Sequence, residues 1–144
     1  MTQTLEPSSD FTTTVRVYFE DTDAQGVVYH ANYLRFFERA RTDFLRALGF
    51  EQRGMLEAQR LAIVISSVQM RFARPAKLDD LLAIRTRVTK MGRASFTFDQ
   101  SAWRDGQLVC QAELRVACVG PDLRPAALPE DWYETIKKHI HEGD

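Results

Sequence analysis

Sixteen residues connect the predicted first strand to the predicted long helix: Tyr18-Phe-Glu-Asp-Thr-Asp-Ala-Gln-Gly-Val-Val-Tyr-His-Ala-Asn-Tyr33. The order is strand, acidic turn, glycine and helix start, so it places the carboxylate of Asp23 beside a helix N-terminus. Acyl-transfer chemistry needs a base or nucleophile close to backbone N–H donors that stabilise an oxyanion. The same residues also have a purely structural interpretation, because aspartate, threonine and glycine are the types that a strand-to-helix turn prefers. On the residues alone, both interpretations stand.

The strongest periodic signal follows this stretch, over Asn32–Leu48. Its apolar residues recur at offsets of three and four, which is typical of an amphipathic helix. They are Tyr33, Phe36, Phe37, Ala40, Phe44, Leu45 and Leu48. Gly49 then supplies a left-handed cap, and Phe50 is placed to pack against the helix end. The intervening charges are predicted to form a solvated face with pairs such as Arg39 and Asp43. They are Arg35, Glu38, Arg39, Arg41, Asp43 and Arg46.

Apolar runs separated by turn signals predict five strands in the rest of the chain. The predicted strands are Thr14–Phe19, Ala62–Ala73, Leu81–Met91, Ser95–Arg104 and Leu108–Val119. Asp105-Gly106 is a strong hairpin signal, and Met91-Gly92-Arg93 indicates a second tight turn. A short helix near Glu51–Ala58 and a last helix from Pro129 to His141 complete the pattern. It predicts an α+β domain in which a five-stranded antiparallel sheet has one face covered by the long helix.

Length and composition exclude several classes of protein. A chain of 144 residues with 44% apolar content suits one globular domain, predicted to span 13–144 after a flexible N-terminal segment, 1–12. The net charge is −1 with scattered basic residues, so no nucleic-acid partner is expected. No apolar run approaches the roughly 20 residues that a membrane-spanning helix needs. Cys110 and Cys118 lie about 26 Å apart in one predicted strand and cannot pair within it, which favours reduced thiols and a cytoplasmic location.

Three further segments follow the run Asp21-Thr-Asp-x-x-Gly-Val-Val-Tyr-His-x-x-Tyr33 in order: Glu38–Thr42, Arg74–Asp80 and Arg124–Pro129. Together they resemble the 4-hydroxybenzoyl-CoA thioesterase family, and within it most closely the Tol-Pal system-associated acyl-CoA thioesterases. The resemblance implies a hotdog fold, in which a curved sheet wraps around the central helix. It also implies a homodimer or homotetramer with active sites at the subunit interface. An open strand edge in a monomer would independently favour association.

The resemblance places the catalytic carboxylate at Asp23 and leaves Asp21 to shape the turn. Ionised Asp23 could attack the thioester carbonyl or draw a proton from water, and the sequence does not choose between these routes. The backbone amide of His30 aligns with the oxyanion donor of the family. The His30 side chain could orient the thioester, hold a water molecule or cap the helix. No metal is expected, because no second ligand stands at metal-site spacing. The thioesterase interpretation implies hydrolysis without a redox cofactor.

Substrate binding is assigned to Tyr29 and Arg93. Arg93 lies in the turn that the family uses near the CoA phosphates, but this turn lacks the basic cluster of the namesake enzymes and has only Lys90 beside it. Unranked alternatives are Arg71, Arg74 and Lys77. The substrate is therefore expected to be an acyl thioester of coenzyme A or of a carrier protein.

Three classes of function fit this pattern. The leading one is an acyl-CoA thioesterase that produces a free acid and a thiol. The second is a hotdog hydratase or dehydratase; those enzymes place an aspartate and a histidine five residues apart with Asn-Pro between them, whereas Asp23 and His30 are seven apart, which argues against it. The third is a non-catalytic acyl-binding partner of an envelope complex, in which Asp23 would be only a turn residue.

Overall fold

The computed structural model describes residues 10–141, which form one antiparallel sheet and three α-helices. The strands are β1 Phe11–Arg16, β2 Ala62–Phe72, β3 Leu81–Met91, β4 Ser95–Arg104 and β5 Gln107–Val119. The helices are α1 Asn32–Ala47, α2 Gln52–Gln59 and α3 Glu130–Lys138. The strand order across the sheet is β1-β3-β4-β5-β2. The predicted α+β architecture with a five-stranded antiparallel sheet is confirmed.

The middle strands begin and end where the sequence predicts, whereas β1 does not. β3 and β4 are bounded by clear turns, and Asp105 and Gly106 both adopt positive φ, at 49° and 78°, as a tight hairpin requires. β1 runs three residues earlier than the predicted Thr14–Phe19, because the backbone of Val17 instead pairs with the loop at 79–80. Of the predicted flexible segment 1–12, residues 1–9 lie outside the described part of the chain, while Phe11 and Thr12 belong to β1.

The C-termini of α1 and α3 lie close to their predicted positions. Gly49 takes φ 95° and the Phe50 N–H donates to the Leu45 carbonyl at 2.9 Å, so the predicted left-handed cap is confirmed. Phe50 then stacks on Trp132 of α3 with ring centroids 4.7 Å apart. α3 ends at Lys138 rather than at His141, because Ile140 leaves the helix to form a bridge with Val88.

The core lies between α1 and the inner face of the sheet, where aromatic rings from both layers meet. Phe44 contacts Phe98 edge to face at 5.9 Å, and Phe96 packs beside Phe98. One helix prediction is wrong: Arg41, assigned to the solvated face, is only 7% exposed. The suggested ion pair of Arg39 with Asp43 is also absent from the described residues, since Asp43 contacts Arg46 at 3.4 Å instead.

The two edge strands of the sheet, β1 and β2, differ in how far α1 covers them. α1 packs over β1 and β3. The longer edge strand, β2, is left with an exposed inner face on which Ile65, Val68 and Phe72 are 45%, 37% and 52% accessible. These three share a face because their partners on β5 are Val116, Leu114 and Cys110, all buried. An apolar groove therefore separates α1 from β2.

Candidate active site

The acidic turn folds into a small hairpin between β1 and α1. Thr22 and Val28 form a β-bridge, and the Asp23 N–H donates to the Val27 carbonyl at 2.9 Å. Gly26 closes the hairpin with φ 79°, a conformation that L side chains rarely adopt, and donates its N–H to the Asp23 carbonyl at 3.0 Å. This geometry fixes the backbone on both sides of Asp23.

The loop between β2 and β3 holds the hairpin in place through backbone hydrogen bonds. The Val28 N–H donates to the Ala76 carbonyl at 2.8 Å, and Val27 forms a bridge with Lys77. Asp80 holds this loop, since its Oδ2 accepts from the Lys77 N–H and from Arg104 Nη1, both at 2.8 Å. Burial raises the pKa of Asp80, but these donors outweigh burial and leave the pKa below its usual value.

Asp21 connects the turn to the helix. The residue is only 9% exposed. Oδ2 accepts from the Tyr18 N–H at 2.8 Å and Oδ1 accepts from Asn32 Nδ2 at 2.7 Å. Asn32 is the first residue of α1, so Asp21 shapes the turn, as expected, and sets where the helix begins.

Asp23 lies two residues further on and is exposed. Its Oδ1 accepts from the Gln25 N–H at 2.8 Å and from the Val27 N–H at 3.4 Å. Within residues 10–141, Oδ2 has no hydrogen-bond partner. One oxygen therefore holds the side chain in a local turn while the other faces outward, so the structural and chemical interpretations of this residue are compatible.

The N-terminus of α1 leaves donors without acceptors. The N-cap position is Ala31, and no side chain caps the helix, so His30 does not take the capping role. Across the described residues, the N–H groups of His30 and Ala31 have no acceptor. Free amides at a helix N-terminus carry the positive end of the helix dipole and favour a negatively charged oxygen.

The aromatic rings of Tyr29 and His30 pack together beside the N-terminus of α1. Their rings lie 4.4 Å apart, and Phe72 of β2 lies 6.4 Å from the His30 ring. His30, Tyr33 and Phe72 are among the walls of a pocket of about 270 Å³. Burial raises the pKa of the Tyr33 phenol to about 12, so this phenol stays neutral in the pocket wall. Tyr29 and His30 are thus brought together at this end of α1, while Asp23 is not part of the pocket wall.

Arg93 lies far from these residues in the same chain. It is in the β3–β4 turn, whereas the acidic turn adjoins the other end of β3, roughly 33 Å away along the strand. The Arg93 guanidinium is 3.8 Å from Glu130 and stacks over Tyr133 at 5.1 Å. Lys90 and Arg115 line a polar concavity of about 390 Å³ beside this turn. Arg115 was missed by the sequence analysis, and only the pairing of β4 with β5 brings it here.

Other reactive groups are not placed for chemistry. In the range 10–141, no three His, Cys, Asp or Glu side chains come together as metal ligands would. Cys110 and Cys118 are free and buried, and burial raises the pKa of the Cys110 thiol to about 12, which leaves it unreactive. No helix in the described part of the chain has the length and apolar character to cross a membrane.

Known proteins are similar to this chain in sequence and in fold. Residues 17–136 match the profile of the thioesterase-like superfamily. The acyl-CoA thioesterase YbgC of Haemophilus influenzae is 47% identical over 122 residues, 84% of this chain and 90% of that protein. A probable thioesterase from Bartonella henselae superposes with a TM-score of 0.81 at 35% identity, covering 84% of this chain and all of that one. A 4-hydroxybenzoyl-CoA thioesterase mutant in complex with 4-hydroxybenzoyl-CoA superposes at 0.82 and 27% identity, covering 88% and 98%. The expected hotdog thioesterase fold is confirmed by these neighbours.

Proposed function

The chain belongs to the thioesterase-like superfamily, and from that membership we propose that Asp23 is its reactive carboxylate and the His30 amide its oxyanion donor. Thioester hydrolysis is the activity named for its curated relatives at 45–47% identity, and the protein is accordingly an acyl-CoA thioesterase. The overall reaction adds water across the thioester and releases a free acid and a thiol. The assignment of residues to steps is the proposal.

The observation that carries the proposal is the free oxygen of Asp23 on a rigid turn. Because Oδ1 is occupied by the Gln25 and Val27 amides, Oδ2 is held in one direction without being consumed by a structural contact. Oδ2 either attacks the thioester carbon, with water hydrolysing the resulting anhydride, or removes a proton from the attacking water. In both routes the thiolate leaves and takes up a proton.

The free amide at His30 supports the second half of the chemistry. A thioester carbonyl placed there gains negative charge in the transition state and accepts from an N–H that has no other partner. A single donor of this type is typically worth about 3 kcal/mol, or two orders of magnitude in rate. The ring of His30, with Phe72 6.4 Å away, would then keep the thioester against this amide, and Tyr29 would support the His30 ring from 4.4 Å.

We propose a homodimer or homotetramer in which protomers join along β2. Support comes from the open edge of β2 and its exposed apolar residues, which in a free monomer would promote unspecific association. The roughly 33 Å between the acidic turn and Arg93 also suggests that one substrate contacts Asp23 of one protomer and Arg93 of another. Lys90 and Arg115 beside Arg93 add positive charge for the phosphates of the carrier.

Hybrid dimers test this shared site. Mixing inactive Asp23→Asn subunits with subunits carrying Arg93→Ala should restore up to about a quarter of wild-type activity, because half of the dimers are hybrids and each has one intact site. The matched control mixes Asp23→Asn with His30→Ala, two residues of one turn, and should restore none beyond the parent variants. Sedimentation of a fully active monomer at assay concentration would contradict the shared site.

A non-catalytic acyl-binding protein is the remaining alternative, and thiol release distinguishes it. Purified protein should release thiol from acyl-CoA with saturation kinetics, and a parallel assay with acyl-carrier protein identifies the preferred carrier. Tight binding of acyl-CoA without thiol release would support the alternative. The relatives give no support to hydration chemistry, since their names describe thioester cleavage.

The cytoplasmic location and the association with the Tol-Pal system are also proposals. The two free, buried cysteines support a reducing compartment, and the resemblance of the signature run supports the association. Fractionation of cells that produce the tagged chain tests the location, and co-purification of Tol-Pal proteins with it tests the association.

A further inference from the structure

One side of α1 carries a sequence that is symmetric about the midpoint of the helix. Leu34, Glu38, Arg41 and Leu45 follow the spacing i, i+4, i+7 and i+11, which places them on this side. The midpoint of α1 lies between residues 39 and 40, so Glu38 and Arg41 are equally far from it. The same holds for Leu34 and Leu45. Reversing the direction of α1 therefore exchanges leucine with leucine and acid with base.

The position of Arg41 is fixed by a buried amide. Gln100 is fully buried, and its Nε2 donates to the Phe37 carbonyl and to Thr86 Oγ1, each at 2.9 Å. Because both partners accept, the amide oxygen must face the other way, where it accepts from Arg41 Nη1 at 3.0 Å. The guanidinium also lies over the Phe98 ring at 6.0 Å. Arg41 thus has a defined position within a single protomer.

Most of the donors on this guanidinium remain unpaired. Arginine has five N–H donors, yet in residues 10–141 Arg41 has a single neutral acceptor and no carboxylate within ion-pair distance. The residue is only 7% exposed, and burial lowers its pKa, although an arginine stays cationic in proteins. A buried cation without an anion is unfavourable. Arg41 therefore needs an acceptor that the described part of its own protomer does not supply.

Glu38 is the acid that shares this surface. It is exposed, and among residues 10–141 it has no ion-pair partner. Glu38 and Arg41 both line a pocket of about 160 Å³ between α1 and β2, whose other walls include Ile63, Ile65 and Val116. The two charges attract each other, since Glu38 raises the pKa of Arg41, but their side chains do not bond within the protomer. An acid and a base with free capacity therefore lie side by side.

A second copy of α1 is complementary to this surface. Protomers that join along β2 bring the partner's α1 towards the same groove, because α1 and β2 are its two sides. In a pair with twofold symmetry, a residue i that contacts residue j of the partner is matched by j contacting i. With antiparallel helices and the axis at the midpoint of α1, Glu38 lies level with the partner's Arg41, and Arg41 with the partner's Glu38. The pair of unlike charges then occurs twice.

We propose that two protomers pack α1 antiparallel to α1 across the groove and that Arg41 of each binds Glu38 of the partner subunit. This inference rests on the proposed dimer, and it names the helix and the charged contact that fix how the protomers are arranged. The carboxylate supplies acceptors to N–H groups that lose water when the groove closes. An axis at Glu38 or at Arg41 would instead bring like charges together, so the two pairs select this register.

Reversal of one charge tests the contact. Glu38→Lys places two like-charge pairs in the dimer, so its dissociation constant, measured by sedimentation over a range of concentrations, should rise at least about 10-fold. Asp43→Lys makes the same change at an exposed position five residues along α1, away from this side, and should stay within about threefold of wild type. No rise in Glu38→Lys, or equal rises in both variants, would overturn the inference and leave the proposed thioester chemistry intact. A monomeric wild-type protein would overturn both the inference and the proposed dimer.

Hybrid dimers show whether the contact joins two protomers. Glu38→Lys and Arg41→Glu each repel in their own dimers, whereas a hybrid of the two has unlike charges in both pairs. After subunit exchange between equal amounts of the two variants, native mass spectrometry should therefore find hybrids well above the statistical fraction of about half. The control mixes Asp43→Lys with Arg39→Glu, two exposed positions on another side of α1, and should stay near half. A contact within one chain gives no preference for hybrids.

A hybrid fraction near half for folded Glu38→Lys and Arg41→Glu would overturn the inference. If Arg41→Glu does not fold, because the new carboxylate faces the Gln100 oxygen, the dissociation constants of Glu38→Lys and Asp43→Lys decide.

Discussion

Asp21 and Asp23 are two residues apart in one turn, yet their surroundings are opposite. Asp21 is buried, and both of its oxygens accept hydrogen bonds, from Tyr18 and from Asn32. Asp23 is exposed, and only one of its oxygens is occupied. Residue type and local sequence are the same for both. The contacts supplied by the first residue of α1 and by the backbone of the hairpin make one of them structural and leave the other available for chemistry.

This difference predicts that the two aspartates contribute to separate measurable quantities. Removing Asp21 leaves two part-buried donors without their acceptor, so its contribution belongs mainly to the free energy of unfolding. Removing the charge of Asp23 should leave the free energy of unfolding almost unchanged and should lower the rate of thioester hydrolysis instead.

The largest effect is expected for Asp23→Asn. The amide oxygen can still accept from the Gln25 and Val27 N–H groups, but an amide is neither nucleophile nor base. We expect kcat/KM to fall by at least about 100-fold, with the unfolding free energy within about 0.5 kcal/mol of wild type. A folded variant that keeps more than about a tenth of the wild-type kcat/KM would end the catalytic assignment.

The second-largest effect is expected for Asp21→Ala, and it concerns the free energy of unfolding. Alanine is preferred to asparagine here, because an asparagine at 21 could donate to a flipped Asn32 amide and hide the cost. Loss of both acceptors should lower the unfolding free energy by about 1–3 kcal/mol, measured by urea denaturation. Asp23→Ala is the matched control and should cost less than about 1 kcal/mol, since its site is exposed. Equal losses in the two variants would remove the distinction.

A smaller effect on rate is expected for His30→Ala. The backbone N–H survives this change, while the ring that packs beside Tyr29 is lost. We expect kcat/KM to fall by about 10-fold, clearly less than in Asp23→Asn. Complete loss of activity in a folded His30→Ala protein would instead make the side chain essential.

The smallest effect concerns the loop that supports the turn, through Asp80. Since its pKa is lowered by folding, its contribution to stability is fully present above the ordinary value of 3.8 and is lost as the pH falls through the lowered value. Asp80→Asn should therefore cost about 1 kcal/mol at pH 7 and nothing once wild-type Asp80 is protonated, well below pH 3.8. Urea denaturation of both proteins at several pH values gives this difference. A gap that persists unchanged at low pH would show that the Asp80–Arg104 pair is not its origin.

Much of the fold could be predicted because local signals agree with it. β3 and β4 lie between turns whose residues require special backbone angles, so their ends are set locally. β1 was misplaced because Phe11-Thr-Thr-Thr has weak alternation, and its extent depends on pairing with β3, seventy residues away. Long-range pairing of that kind leaves no mark in a short window of sequence.

The site could be predicted only in its local part. Asp21, Asp23 and the free amide at His30 all belong to one continuous stretch, so the family resemblance could name them as candidates, and their catalytic roles stay a prediction. The burial of Arg41 was not predicted, because its charge assigned it to solvent, although its offsets of four from Phe37 and eight from Tyr33 place it on the buried face. Arg115 and the distance of Arg93 from the turn depend on sheet topology.

Single-turnover thiol release, with enzyme in excess over acyl-CoA, tests the role of Asp23 most directly because it separates the chemical step from binding and product release. Binding is measured in parallel with a non-hydrolysable thioether analogue. Asp23→Asn should bind the analogue within about threefold of wild type, while its single-turnover rate constant falls by at least about 100-fold. Thiol release by Asp23→Asn at a rate close to wild type, or a loss of rate explained by loss of binding, would contradict the catalytic assignment of Asp23.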